Sequence, residues 1–298
     1  MVSDPKEGAA VIAADEAAVI FADVTEEIDY QNLENAIHET VGLFSDKINA
    51  NTIHFISSVD LQKVKFPIQS PLFGNFIVRE FGPGKESPAT CGKHYGRIVK
   101  ATLMEHAFGL SHFLDQDAKV QIVKFKNTNQ KQAGVEAVKN YLLAAGFKSR
   151  MATVIANAVD EILMNAMFDA PIDGSGRPMH TALSRNTAIA LEGKTAIEMH
   201  VGFDGTRVGI SVIDQFGSLD RGRLLSHVSK KYSDDAYKLK NIVAGAGIGL
   251  ATIFSTGGSL VFASESGMRT EATIFFARTD NFRIFKEQFR YLVAQFYF

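Results

Sequence analysis

The sequence predicts an α+β protein with two domains, and three observations carry that reading. Helix-like and strand-like hydrophobic periods alternate along the chain, two strand-like runs over 195–213 meet at the turn pair Asp204-Gly205, and 298 residues are enough for two cores. The first domain, 1–114, reads as a smaller α/β unit with a regulatory or docking role. The second, 115–298, carries the segments that point to chemistry.

In the first domain, 17–24 is a short apolar run holding Asp23 near its end, read as a buried strand. Residues 31–44 place Leu33, Ile37, Val41 and Phe44 at helical spacing. Two further strands are expected over 52–56 and 73–78, then a loop rich in Gly, Pro, Ser and Thr over 82–96, then a helix over 96–114. The second domain opens on an alternating strand, 120–125. A helix follows with Val135, Val138, Leu142 and Ala145 on one face and Gly146 as its stop. A helix over 149–168, the two strands of 195–213, a charged stretch over 220–240 and a glycine-rich segment over 244–250 come next. A helix, strands over 259–264 and 270–276 and a closing aromatic-rich helix complete the chain.

Composition narrows the function classes. The net charge of −2 gives no basic excess for nucleic acid or an anionic membrane. No apolar run is read as reaching the roughly 18–20 residues that span a bilayer. The first residues lack the basic-then-apolar order of a signal peptide. Cys91, the single cysteine, excludes an internal disulfide framework and a cysteine zinc site. A cytoplasmic protein is the expectation.

Three segments carry candidate chemistry. The helix over 149–168 buries Ile155, Val159, Ile162, Leu163 and Ala166 on one face, while Asn157, Glu161, Asn165 and Asp169 recur every four residues on another. A solvated polar face has the same spacing. In Ser211-Val212-Ile213-Asp214-Gln215-Phe216-Gly217, an aspartate stands at the exit of an apolar strand, where ligand sites concentrate and turn aspartates also occur. Gly245-Ala246-Gly247-Ile248-Gly249-Leu250 runs into a helix, so its backbone can approach phosphate closely. It lacks the Lys-Ser/Thr of a P-loop and the leading strand of a dinucleotide fingerprint.

In type, order and rough spacing these segments resemble the N, G1 and G2 boxes of the GHKL ATPases, the Bergerat-fold family that includes gyrase-type topoisomerases, heat-shock chaperones, sensor histidine kinases and mismatch-repair proteins. The resemblance covers 120–278 and includes Thr270, in the place of the family's late Gly-Thr pair. It implies a Bergerat-fold α/β sandwich, a mixed sheet with helices on one face, that binds ATP with Mg2+. By that resemblance Asn165 would coordinate the metal, Glu161 would act as general base, and Asp214 would accept the adenine amino group with support from Thr270. Gly245, Gly247 and Gly249, followed by Leu250, would wrap the phosphates, and Gly217 would let the chain leave Asp214 without a clash. Residues 218–243 would form a mobile lid whose cations, among them Arg221, Arg223, Lys230, Lys231, Lys238 and Lys240, could reach the γ-phosphate. Two departures stand out: Phe216 replaces the first glycine of the G1 pattern, and Asp169 stands where many members have a basic or aromatic residue.

The details look most like bacterial anti-sigma-factor serine kinases, which implies a protein partner and phosphotransfer to a serine or threonine. A nucleotide-gated binding module without phosphotransfer and a histidine kinase acting in trans are the alternatives. His38 and His106 lack the helical hairpin that a phosphoaccepting histidine needs. The amino-terminal region resembles a degenerate receiver, with Asp23 in the phosphoacceptor position or merely structural. The aromatic tail, 289–298, reads as a surface that packs on something, whether a second copy of the chain or its own amino-terminal half.

Overall fold

The computed structural model describes residues 4–14, 19–42, 48–61, 64, 66–70, 72–79, 88–104, 107–180, 182–232 and 248–298. The chain divides into two compact units, one of Met1–Ala107 with Arg290–Gln295, the other of Phe108–Phe289 with Phe296–Phe298. Both are built of helices and strands, as the α+β class requires.

The first unit opens on a helix, α1 (Pro5–Ala13), that the hydrophobic pattern does not announce. Its start follows from local chemistry: the Asp4 side chain accepts from the Lys6 amide at 2.9 Å, and Pro5 fills a position whose N–H has no helical acceptor anyway. Then come β1 (Ile20–Asp23), α2 (Glu27–Val41), β2 (Ile53–Ser57), β3 (Asn75–Val78) and α3 (Pro88–Leu103). Strands β1, β2 and β3 are parallel neighbours, and α1 packs on α2. Helix α2 begins four residues before the expected start at 31, with Glu27 and Asp29 in its first turn, where the helix dipole favours acids. Phe44 and His106 lie outside the described residues.

Two expectations are corrected in this region. Residues 88–96 are the first turns of α3, not loop, because Pro88 is well placed at a helix start, and α3 stops at Leu103 rather than running to 114. At the other end of the chain the aromatic tail is not a helix. A short helix, 282–286, gives way to a buried strand over 291–297 that runs antiparallel to β3. An unbroken apolar run fits a buried helix and a buried strand equally by period; here the β-favouring Tyr291, Val293, Phe296 and Tyr297 decide. The run packs on the chain's own amino-terminal half, as one of the two alternatives expects: it pairs with β3, and Tyr291, Leu292, Val293 and Ala294 are all buried. Gln295 fixes the pairing by donating to the Asn51 carbonyl at 3.0 Å and to Asn75 Oδ1 at 2.8 Å.

The second unit holds β4 (Val120–Phe125), α4 (Lys131–Ala144), α5 (Ser149–Met164), β5 (Ile197–Phe203), β6 (Arg207–Asp214), α6 (Arg221–Tyr232), α7 (Ile248–Phe254), β7 (Ser259–Glu265), β8 (Arg269–Ala277) and α8 (Phe282–Lys286). Its strands lie in the order β4-β5-β6-β8-β7, and each of these neighbouring pairs is antiparallel. Gly146, at φ +87°, lets the chain turn after α4, and Gly205, at φ +90°, sits in the tight β5–β6 connection.

Strand alternation then sorts the side chains. Register pairs Asp214 with Thr270 and Val212 with Ala272, so these four share the face covered by α5. Ser211, Glu271 and Thr273 fall on the other face. There Glu271 accepts from the Gly109 amide at 2.7 Å and from the Ser211 hydroxyl, tying down the segment that enters the unit. Ser149–Asp169 is long and apolar enough to cross a membrane by composition, yet 67% of its most apolar window is buried inside the protein as the core helix of this unit.

Candidate functional site

A single cavity in the second unit gathers residues from the segments singled out above. Its lining includes Asn165 and Asp169 beyond α5, Asp214 at the end of β6, Leu250 of α7 and Thr270 of β8. Apolar walls are supplied by Ile162, Ala166, Val212, Ile253, Phe262 and Ala272.

Helix α5 presents its polar residues because Ile155, Val159, Ile162 and Leu163 hold its other side in the core. The helix does not continue regularly. From Asn165 to Asp169 it widens into a π-turn, closed by the Ala170 amide donating to the Asn165 carbonyl at 2.8 Å. Such turns concentrate at functional sites, since the extra residue re-aims neighbouring side chains. The strict four-residue stripe therefore ends at Asn165. Asp169 still lines the cavity, while Asn157 is exposed and takes no part in it.

Asp214 is only 5% exposed. Its Oδ1 accepts from the Phe216 amide at 2.8 Å, and the Gly217 amide and Thr270 hydroxyl also donate to the carboxylate. Burial pushes its pKa up to about 6, against the pull of these hydrogen bonds and of the Lys194 charge. Gly217 has φ +58°, and a Cβ there would stand 1.9 Å from the Glu265 carbonyl oxygen. The chain can thus turn back toward β7 only with glycine at this position. Phe216 is buried beneath, with the Lys194 ammonium 5.8 Å above its ring and donating to the Gly267 carbonyl at 2.7 Å. Phenylalanine, where the resemblance leads one to expect glycine, is accommodated by this packing.

At the other end, α7 abuts the polar face of α5. A Cβ on Gly249 would lie 2.6 Å from Glu161 Oε2 and 3.3 Å from Asn165 Oδ1. Gly249 is therefore brought against Glu161 and Asn165, although it is far from them in sequence. Gly245 and Gly247 lie outside the described residues. Burial raises the Glu161 pKa; the Arg185 charge opposes this, Asp160 reinforces it, Lys131 opposes it and Asp169 reinforces it. Asp169 is also raised by burial, with Arg185 and Arg223 pulling the other way. Arg185 reaches Asp169 directly, Nη2 to Oδ2 at 3.5 Å, and Lys131 pairs with Asp160.

The expected lid cations separate. Arg223 borders the cavity and donates to the Ser218 carbonyl at 3.1 Å. Arg221 instead lies 5.2 Å over the Phe296 ring, and burial lowers its pKa to about 10. Lys238 and Lys240 lie outside the described residues. Arg185 and Lys194 were not singled out from the sequence, because each stands in a polar connection without periodicity or motif.

Chemically, the buried end offers an acceptor carboxylate between apolar walls, which suits a flat, mostly apolar group bearing an amino donor. The half-buried end offers the Asn165 side-chain oxygen, with the Glu161 carboxylate close to the same Gly249, and oxygen donors are the type that a hard cation such as Mg2+ prefers. Among the described residues no cluster of three or more His, Cys, Asp or Glu side chains is arranged to hold a metal. A cation here would need oxygens brought by its ligand and by water. Comparison with known proteins gives no matching family model, and no curated protein matches the chain.

Gly217→Ala is expected to lower stability by about 2–4 kcal/mol, from the left-handed backbone plus the clash with Glu265. Urea denaturation checks this; a loss within about 0.5 kcal/mol would show that the turn relaxes freely.

Proposed function

We propose that this cavity is an ATP site and that the second unit is a GHKL-type, Bergerat-fold nucleotide-binding domain. The observation that carries the reading is the placement, in one cavity, of a buried Asp214–Thr270 pair at one end and of Asn165, backed by Glu161, at the other. The family resemblance had assigned those residues to adenine and to metal and phosphate respectively. Adenine is an apolar plane with an exocyclic amino donor, matching the apolar walls and the Asp214 carboxylate. Asn165 would hold Mg2+ through its side-chain oxygen, and the metal would neutralise phosphate charge when bound.

The same reading assigns a phosphoryl transfer from ATP to a serine or threonine hydroxyl of a protein partner, in the manner of anti-sigma-type kinases. The hydroxyl oxygen bonds to the γ-phosphorus as the bond to the β-phosphate oxygen breaks, and ADP leaves. Glu161 takes the hydroxyl proton, a role that its burial-raised basicity favours. Phe216 supports a second reading, a module that grips its partner according to bound nucleotide without transferring phosphate, because a packed side chain stiffens the turn where the family pattern has glycine.

Calorimetric titration with ATP and ADP, with and without magnesium, tests the site. Wild type is expected to bind, and Asp214→Asn to bind about tenfold more weakly or worse, through loss of a charge-assisted hydrogen bond. The pH dependence has a defined sign. The amino group needs the ionised carboxylate, so affinity falls as pH drops through about 6, and the Asn variant lacks this fall. In the nucleotide-free protein the folded-state pKa is raised above its ordinary 3.8, so this carboxyl's contribution to stability is lost as pH rises from that value toward about 6. Asp214→Asn should then melt higher than wild type at pH 7 while binding less. Equal affinities would remove Asp214 from the site. Glu161→Gln is expected to keep nucleotide affinity within about threefold while slowing γ-phosphate release or transfer about 100-fold or more, measured with radiolabelled ATP.

A further inference from the structure

The segment joining the π-turn of α5 to β5, residues 170–196, carries no motif, yet it sets a cation against Asp169, a residue that lines the cavity. It is fastened on both sides of Arg185. Before it, the buried His180 has Nδ1 at 3.1 Å from the Met167 carbonyl, and the Met179 amide donates to the Pro171 carbonyl at 2.9 Å. After it, the Thr128 hydroxyl donates to the Thr187 carbonyl at 2.7 Å and accepts from the Ile189 amide at 3.0 Å. Arg185 itself lies in a turn closed by the Thr187 amide donating to the Ser184 carbonyl at 2.8 Å. The backbone that carries Arg185 is therefore held in place by the fold, while its guanidinium reaches Asp169.

That guanidinium pairs with Asp169, which lines the cavity together with Asn165. Its charge is the largest force acting against the burial of both Glu161 and Asp169. Of the neighbouring cations, Lys131 pairs with Asp160, Lys194 donates to the Gly267 carbonyl and Arg221 lies over Phe296, while Arg223 borders the cavity, acts on Asp169 less than Arg185 does and donates to the Ser218 carbonyl. A nucleoside triphosphate brings a further anionic group to an end of the cavity that already holds Glu161 and Asp169. A planar guanidinium with several N–H donors is suited to meet it, because it can exchange one oxyanion partner for another.

We propose that Arg185 reads the terminal phosphate of the nucleotide, turning from Asp169 to the γ-phosphate and so distinguishing ATP from ADP. This rests on the ATP reading of the cavity. It moves the discriminating cation from the charged stretch after Asp214 to the connection before β5. Asp169 becomes the residue that parks the guanidinium when no γ-phosphate is present, which accounts for an acidic residue at that place.

The test is calorimetric titration of the full chain with ADP and with the non-hydrolysable analogue AMP-PNP, both with magnesium, for wild type, Arg185→Ala and Arg185→Lys. The alanine variant should lose about tenfold or more in AMP-PNP affinity while ADP affinity stays within about twofold, and the lysine variant should fall between. Equal loss for both nucleotides, or no loss for either, overturns the assignment of Arg185 and leaves the ATP site standing. Should the alanine variant melt early, the lysine variant carries the same test through the ratio of the two affinities. Wild type binding neither nucleotide overturns the ATP reading itself, and the proposal with it.

Discussion

Asp214 stands at the carboxy end of β6 with 5% of its surface exposed, and a carboxylate so placed is tolerable only where donors meet it. Much of the second unit is arranged around that requirement. The β6–β8 register sets Thr270 directly opposite, the chain bends so that the Phe216 and Gly217 amides turn inward, and the bend demands a glycine against the Glu265 carbonyl. Even so, burial wins over these donors and raises the pKa. Such a residual electrostatic cost is what a ligand donor can relieve, the usual relation between strain at a site and its use.

The opposite end of the cavity is governed by charge balance. Glu161 and Asp169 are drawn out of water by α5 and by its π-turn, and Arg185 opposes the resulting penalty on both. Gly249 matters there for lack of bulk: any side chain would press on Glu161 and Asn165. On the proposed reading, one end of the cavity would take a neutral plane with an amino donor, and the other a hard cation together with the phosphates it neutralises. Adenine nucleotides combine both properties.

The elements legible in the sequence are those in which local period and burial agree. The apolar stripe of α5, the alternation of β4 and the Asp204-Gly205 turn all specify their structure within a few residues. The site was legible through residue types at element ends, namely Asp214 after a strand and Glu161 and Asn165 on a helix face. What escaped was set by non-local packing. The closing strand, 291–297, pairs with a partner more than two hundred residues away, and its unbroken apolar run does not by period alone separate strand from helix. The π-turn at 165–169 leaves no mark on hydrophobic spacing, and Arg185 acquires its meaning only when its segment folds back onto Asp169. Phe216 reads as a defect of a glycine pattern until Lys194 is seen above its ring.

The central claim is that Asp214 and Glu161–Asn165 are two ends of one ATP site. Amide hydrogen exchange of the full chain, with and without Mg-ATP, tests it most directly, because local opening is suppressed where a ligand bridges elements. Added protection is expected at 161–170, 214–218 and 248–254, with little change in β1–β3. Protection absent from all three segments, or confined to the first unit, would contradict it.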